Sequence, residues 1–88
     1  MKAPVSSFSP KRQLFEQFAD LARALGHAYR LELIEQLAQG ERSVETLADK
    51  LKQSVANTSQ HLQQMRRAGL VATRRDGKRV IYRLADGP

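Results

Sequence analysis

The chain has 88 residues, a formal net charge of +6 and no cysteine. This length accommodates one small domain with a modest core. Without cysteine the chain has no disulfide, no thiolate nucleophile and no cysteine-bound metal site. Its apolar runs fall well short of the roughly 18 residues that span a bilayer, and the N-terminus lacks the apolar stretch of a secretory signal. We therefore expect a cytoplasmic protein that folds through packing alone.

The positive charge is concentrated near the C-terminus. The window from Arg66 to Arg83 holds seven basic residues and one acid, so it carries the whole net charge of +6. A localised excess of this kind is typical of proteins that bind a polyanion, although a charge run is as often only a solvated face. A membrane surface is the competing polyanion, but it would favour a basic helix with bulky apolar residues opposite, which this window lacks.

The N-terminal half predicts an arm and two helices. Residues 1–10 contain two prolines and three serines, which indicates a flexible arm. Apolar residues at spacings of three and four predict a helix from Lys11 to Leu25, which Gly26 ends. A second helix is predicted from Ala28 to Gln39, and Gly40 closes it.

Two further helices and a hairpin complete the predicted fold. Ser43 caps a short helix that ends at Leu51, and Ser54 caps a longer one that reaches Ala68, which together have the form of a helix-turn-helix. Near-alternating apolar residues follow, and Asp76-Gly77 predicts a tight turn between two strands. The predicted fold is mostly α with a small β-hairpin: a winged helix-turn-helix of four helices and a two-stranded wing. It occupies residues 11–85, and residues 86–88 form a tail.

The fourth helix has two distinct faces. Val55, Thr58, Leu62 and Met65 recur at three and four, which predicts a buried stripe. The opposite face carries amide, hydroxyl and small side chains. Amides can bond adenine in the major groove, hydroxyls can bond bases or phosphates, and small residues allow close approach. The alternative is a solvated polar face. The predicted DNA-contacting residues of this helix and its cap are Ser54, Ala56, Asn57, Ser59, Gln60, Gln63 and Arg67.

The hairpin places four basic residues around its turn. These are Arg74, Arg75, Lys78 and Arg79. In a winged helix the recognition helix enters the major groove, and a basic wing reaches phosphates or the neighbouring minor groove. We expect Tyr82 on the second strand to pack in the core rather than to stack on a base.

Three stretches carry a resemblance to a known family. Leu25–Leu37 resembles the pattern that reads roughly L-x-x-P-x-R-L-x-I-L-x-x-L, and Ser54–Val71 resembles S-x-x-x-x-S-x-H-L-x-x-L-x-x-A-G-L-V. Arg74–Leu84 looks like a basic wing. Over about Phe15 to Leu84 the chain resembles the ArsR family of winged-helix repressors. Ser54–Leu62 further resembles a subgroup whose winged helix is followed by a rhodanese-like domain.

The resemblance implies a homodimeric bacterial repressor that binds inverted half-sites. The family's DNA-contacting positions fall on Ser54, Val55, Ala56, Asn57, Ser59 and Gln60, and on the four basic wing residues; Val55 also fits the core stripe. In this family the first and last helices form the dimer interface, and the chain stops at Pro88 before such a last helix. We expect apolar side chains of the first helix to pack across a two-fold axis, namely Leu14, Phe15, Phe18 and Leu21.

Several sensing sites of the family are absent from this sequence. Relatives that sense metals or oxidation use cysteines, and this chain has none. His27, expected in the turn between the first two helices, and His61, expected beside the DNA-facing side, have no second ligand nearby. We therefore predict no metal and no cofactor. Glu32, Glu35, Glu41 and Glu45 are spaced as solvated helix-face charges.

The favoured function is a sequence-specific regulator that binds double-stranded DNA. The alternative is a winged-helix module for protein interaction or dimerisation within a larger protein that has no DNA target of its own. RNA binding is a lesser rival because the helix face lacks exposed aromatic side chains. No phosphate loop or catalytic set indicates an enzyme.

Overall fold

The computed structural model describes residues 10–86. Its elements are α1 (Pro10–Ala38), β1 (Arg42–Ser43), α2 (Val44–Leu51), α3 (Val55–Arg67), β2 (Val71–Asp76) and β3 (Arg79–Leu84). The predicted fold class, a mostly helical winged helix-turn-helix with a small hairpin, is confirmed. Residues 1–9 of the predicted arm (residues 1–10) and the last two residues of the predicted tail lie outside the described residues, and Pro10, the last residue of that arm, begins α1.

The prediction of four helices is wrong, because α1 runs unbroken for 29 residues. Gly26 ends no helix: it is not among the glycines with positive φ, which are Gly40, Gly69 and Gly77. A glycine within a helix costs only about 1 kcal/mol relative to alanine. Two residues later the family pattern has a proline, but this chain has Ala28, and alanine is the best helix former. His27 therefore lies inside α1 and not in a turn.

The two helices of the helix-turn-helix begin where their serines predict. The Ser43 hydroxyl accepts a hydrogen bond from the Thr46 N–H at 3.2 Å, and the Ser54 hydroxyl accepts one from the Asn57 N–H at 3.0 Å. Lys52 ends α2 in the left-handed conformation with φ of 57°. These caps satisfy backbone groups at the helix ends and set the tight turn between α2 and α3.

The wing belongs to a three-stranded antiparallel sheet in the order β1-β3-β2. The short strand β1, which the sequence did not predict, pairs Arg42 with Tyr82. In the hairpin the last pair is Asp76 with Arg79, so the loop is Gly77-Lys78, one residue later than predicted. Gly77 has φ of 63° and Lys78 has no positive φ, as in a type II′ turn, which requires glycine at its first loop position.

One apolar core joins all the helices to the wing. It consists of Tyr29, Leu33 and Leu37 of α1, Val44 and Leu47 of α2, Leu62 and Met65 of α3, and Val71 and Tyr82 of the sheet. The predicted core position of Tyr82 is confirmed. Val55 was predicted in the buried stripe of α3 but is 47% exposed, because it is the first helical residue and lies beyond the contact with α1 and α2.

Replacing Gly26 by alanine should stabilise the protein. A Cβ at this position would meet the nearest atom, Cε1 of His61, at 3.5 Å, an ordinary contact. We expect the free energy of unfolding to rise by about 0.5–1 kcal/mol, measured by urea denaturation. Gly77→Ala is the control: it should destabilise by about 1–2 kcal/mol because alanine resists positive φ. A loss of stability in Gly26→Ala would contradict a continuous α1.

Candidate nucleic-acid interface

The predicted contact residues of α3 lie together outside the core. Thr58, Leu62 and Met65 are the buried side chains of this helix. The predicted residues are exposed except for two half-buried ones, Asn57 and Ser59. Ala56, Gln60, Gln63 and Arg67 recur at spacings of four, three and four, so they form one exposed stripe. The structure thus brings small, amide and guanidinium side chains onto a single face.

Two amide side chains on this face are held by local hydrogen bonds. Nδ2 of Asn57 donates to Oε1 of Gln53 at 3.2 Å, and Nε2 of Gln63 donates to Oγ of Ser59 at 3.3 Å. These bonds leave other donors and acceptors of both amides free. Gln53 lies between α2 and α3 and was not among the predicted contact residues.

An open cleft of about 630 Å³ separates α3 from the wing. Its walls include Arg66 and Arg67 at the end of α3, and Arg75 on β2. Arg66 was not among the predicted contact residues, although its place beside Arg67 suggested it. Arg75 pairs with Val80, and the neighbouring pair is Thr73 with Tyr82. Since side chains alternate along a strand, Arg75 shares the helix-facing side of the sheet with Val80 and Tyr82.

Arg74 is engaged differently from the other basic residues of the wing. Its Nε donates to Oε1 and Oε2 of Glu41 at 3.1 and 3.2 Å, and its Nη2 donates to Oε1 at 2.9 Å. Hydrogen bonding from Arg74 lowers the pKa of the Glu41 carboxyl, and the same contact raises the pKa of Arg74. The prediction that Glu41 is a solvated helix-face charge is wrong. It lies in the loop before β1, and its partner is too distant in sequence for a local pattern to reveal.

His61 packs against α1, a contact that the sequence did not predict. Nε of Arg30 donates to its Nδ1 at 3.3 Å, and Nη2 of Arg30 donates to Oε1 of Gln64 at 2.6 Å. The ring meets that of Tyr29 edge to face, with centroids 5.2 Å apart. Burial first, and then the charge of Arg30, lower the pKa of His61. This histidine therefore joins two helices in its neutral form.

Residues 10–86 contain no group of three or more ligating side chains that could hold a metal ion. None of the helices in this range is long and apolar enough to cross a membrane.

The fold and this surface agree with what known proteins show. The family model of bacterial regulatory proteins of the arsR family matches residues 27–73, which is more than half of the chain. The chain belongs to the arsR family. The matched range includes α2, α3 and the beginning of the wing, which are the elements that carry the candidate interface.

Individual relatives extend the match over almost the whole arsR-family chain. The regulator Rv0324 of Mycobacterium tuberculosis is 40% identical over 85% of this chain and 33% of its own length. The repressor SmtB of the same organism is 35% identical over 97% of this chain and 63% of its own. The chain therefore spans between about a third and two thirds of these curated relatives.

A solved structure gives the same fold. The winged helix-turn-helix DNA-binding domain of Mb0332 from Mycobacterium bovis, described as homodimeric, is 36% identical with a TM-score of 0.67. The match covers 98% of this chain and 77% of that one.

The first half of α1 carries the apolar side chains that the sequence predicted for a dimer. Leu14, Phe15, Phe18 and Leu21 are between 53% and 73% exposed. They follow one stripe of a helix segment that lies N-terminal to Tyr29, the first buried residue of α1. Exposed apolar stripes of this kind are typical of surfaces that pack against another molecule.

Acidification should destabilise this arsR-family chain through His61. Its pKa is lowered in the folded state, so the unfolded chain binds more protons below about pH 6.5. The stability that is present above that pH is lost as the pH falls towards the lower pKa that His61 has in the folded protein. We expect the free energy of unfolding to decrease over this window, and NMR titration to place the pKa of His61 below about 6.5.

The substitution His61→Gln should flatten this pH dependence, whereas His27→Gln on the exposed side of α1 should leave it in place. An unchanged pH dependence in His61→Gln would contradict the assignment.

Proposed function

We propose that this arsR-family chain is a sequence-specific repressor that binds double-stranded DNA, with α3 in the major groove and the wing on the backbone or the adjacent minor groove. The observation that carries the proposal is the amide-bearing face of α3 beside a cleft lined by arginines. Amides offer paired donors and acceptors to base edges, and guanidinium groups fit phosphate oxygens. The names of relatives such as SmtB, a transcriptional repressor, support this function. It is a binding function and not an enzymatic one.

Different residues serve affinity and specificity in this proposal. Asn57 and Gln60 read base edges, while Ala56 allows the helix to approach closely. Arg66, Arg67 and Arg75 border the cleft and neutralise phosphates there. Lys78 and Arg79 neutralise phosphates at the tip of the wing. Ser54, Ser59 and Gln63 complete the contact surface of α3. Contacts to phosphates set the register of the protein on DNA, and contacts to bases select the sequence.

The protein acts as a homodimer in this proposal. The exposed apolar stripe of α1 supports it, as does the homodimeric state given for the similar domain of Mb0332. A two-fold axis would present two copies of α3 to successive major grooves on one side of the duplex. The operator then consists of inverted half-sites about one helical turn apart.

Two finer assignments complete the proposal. The resemblance of Ser54–Leu62 supports membership of the subgroup in which a rhodanese-like domain follows the winged helix. Similarity to Rv0324 is compatible with it, since two thirds of that relative lie outside the match. Reading the coding sequence downstream of Pro88 tests this assignment. The second assignment is a bacterial cytoplasmic location, where the DNA target resides.

DNA binding should be steeply salt dependent, and the two classes of residue should respond differently to mutation. Neutralising about five or six phosphates per protomer gives a log–log slope near −5. Arg75→Ala or Lys78→Ala should weaken binding to every sequence and make the slope shallower. Asn57→Ala or Gln60→Ala should instead reduce discrimination between operator and mismatched duplexes by about 1–3 kcal/mol for each base edge that is no longer read.

The measurement is a fluorescence anisotropy titration at several salt concentrations. If neither set of substitutions alters binding, the docking of α3 and the wing onto DNA is wrong. Self-association without duplex binding would favour the alternative of an interaction module.

Charges placed in the apolar stripe should separate the dimer. Phe15 and Phe18 are 73% and 62% exposed in the single chain, so Phe15→Glu with Phe18→Glu should leave the fold intact. We expect this variant to sediment as a monomer because two carboxylates would be desolvated at the interface. Gln13→Glu, which adds charge away from the stripe, is the control and should remain dimeric. A parent chain that is monomeric at high concentration would overturn the dimer.

A further inference from the structure

We infer that Glu41 is a positioning residue of the wing: it holds the guanidinium of Arg74 in an ion pair and so leaves phosphate binding to the other basic wing residues. The sequence had placed Arg74 among the DNA contacts. The inference rests on the proposed DNA-binding function. It removes Arg74 from the phosphate contacts and gives Glu41, which lies outside the predicted interface, a role in positioning the wing.

The register of the sheet shows where this ion pair lies. Arg74 on β2 is opposite Ile81 on β3, and Ile81 is opposite Ser43 on β1. Glu41 lies two residues before Ser43 in the chain. The ion pair between Arg74 and Glu41 therefore reaches from one outer strand, across the central strand, to the chain that enters the other outer strand. It ties the wing to the body of the domain.

The burial of Ile81 agrees with this arrangement. Ile81 is only 8% exposed, yet it does not belong to the core cluster that contains its neighbour Tyr82. Adjacent residues of a strand point to opposite faces, so Ile81 lies on the face opposite to that of Tyr82. Arg74 is directly opposite Ile81 and so shares this face, and the aliphatic stem of an arginine can cover apolar surface while its charged end stays in water.

The adjacent residue Arg75 has the opposite orientation. It shares a face with Val80 and Tyr82 and lines the cleft together with Arg66 and Arg67. Arg74 also borders this cleft, but two nitrogens of its guanidinium donate to the Glu41 carboxylate. Of these two neighbouring arginines, Arg75 is the one free to meet a phosphate in the cleft.

The ion pair acts by geometry more than by stability. Both side chains are partly exposed, at 51% and 40%, and exposed pairs stabilise folded proteins only weakly. The guanidinium engages both carboxylate oxygens through Nε and Nη2, and such a fork restricts direction as well as distance. Its effect is to fix the wing before DNA arrives, which reduces the ordering that binding requires.

Charge exchange between the two residues tests the inference. In the double variant Glu41→Arg with Arg74→Glu the pair is reversed and the net charge is unchanged. We expect its affinity for duplex DNA to stay within about three-fold of the parent, whereas a phosphate contact at position 74 would be replaced by repulsion and weaken binding about ten-fold or more. A loss of that size in the double variant overturns the inference.

Alanine at the two adjacent arginines gives a matched comparison. Arg75→Ala should make the log–log salt slope shallower by about 0.9 for each phosphate that is no longer neutralised, and Arg74→Ala should leave the slope unchanged. Equal reductions in both variants would also overturn the inference. If the parent itself binds duplex DNA without salt dependence, the proposed function fails instead.

Amide hydrogen exchange, measured without DNA, distinguishes a failure of the role given to Glu41 from a failure of the proposed DNA-binding function. Exchange at residues 74–76 should be faster in Glu41→Gln than in the parent and return towards the parent rate in the charge-exchanged double variant. Exchange that is unaffected by Glu41→Gln would overturn the role of Glu41 whatever the DNA results.

Discussion

The orientation of the candidate interface depends on how the buried side of α3 is attached to α1. Thr58 is fully buried, and its hydroxyl donates to the Ser54 carbonyl at 2.8 Å. That hydroxyl also shares a hydrogen bond with the Tyr29 hydroxyl, which must donate because the Thr58 proton is already used. Burial raises the pKa of Tyr29, so the donor stays protonated. One polar contact between two helices therefore satisfies buried groups and fixes the rotation of α3 about its axis.

The rest of the surface follows from that rotation. With Thr58, Leu62 and Met65 turned inward, the amide side chains of α3 face outward, and its last turn meets the cleft beside the wing. A second contact, from Arg30 to His61 and Gln64, holds the middle of α3 to α1. The orientation of the candidate interface is therefore set by side chains on the opposite side of α3, whose contacts with α1 the sequence did not single out.

Local patterns predicted most of the fold. The serine caps located the starts of α2 and α3, and the change from helical to alternating spacing located the wing, because these signals depend on neighbouring residues. The break at Gly26 was predicted wrongly because a glycine before a histidine looks like a helix end, whereas the actual outcome depends on the small cost of glycine within a helix and on Ala28. Glu41 and the burial of His61 against α1 were missed because each depends on contacts between residues 30 or more positions apart.

The unbroken α1 has a mechanical consequence for a two-fold assembly. At about 1.5 Å per residue its 29 residues span about 44 Å, and the same helix carries the exposed apolar stripe at one end and Tyr29, Leu33 and Leu37 at the other. In a dimer, one continuous helix in each protomer would connect the apolar stripe to the domain that carries α3, instead of two helices joined by a flexible turn. The distance between half-sites then depends on the length of α1.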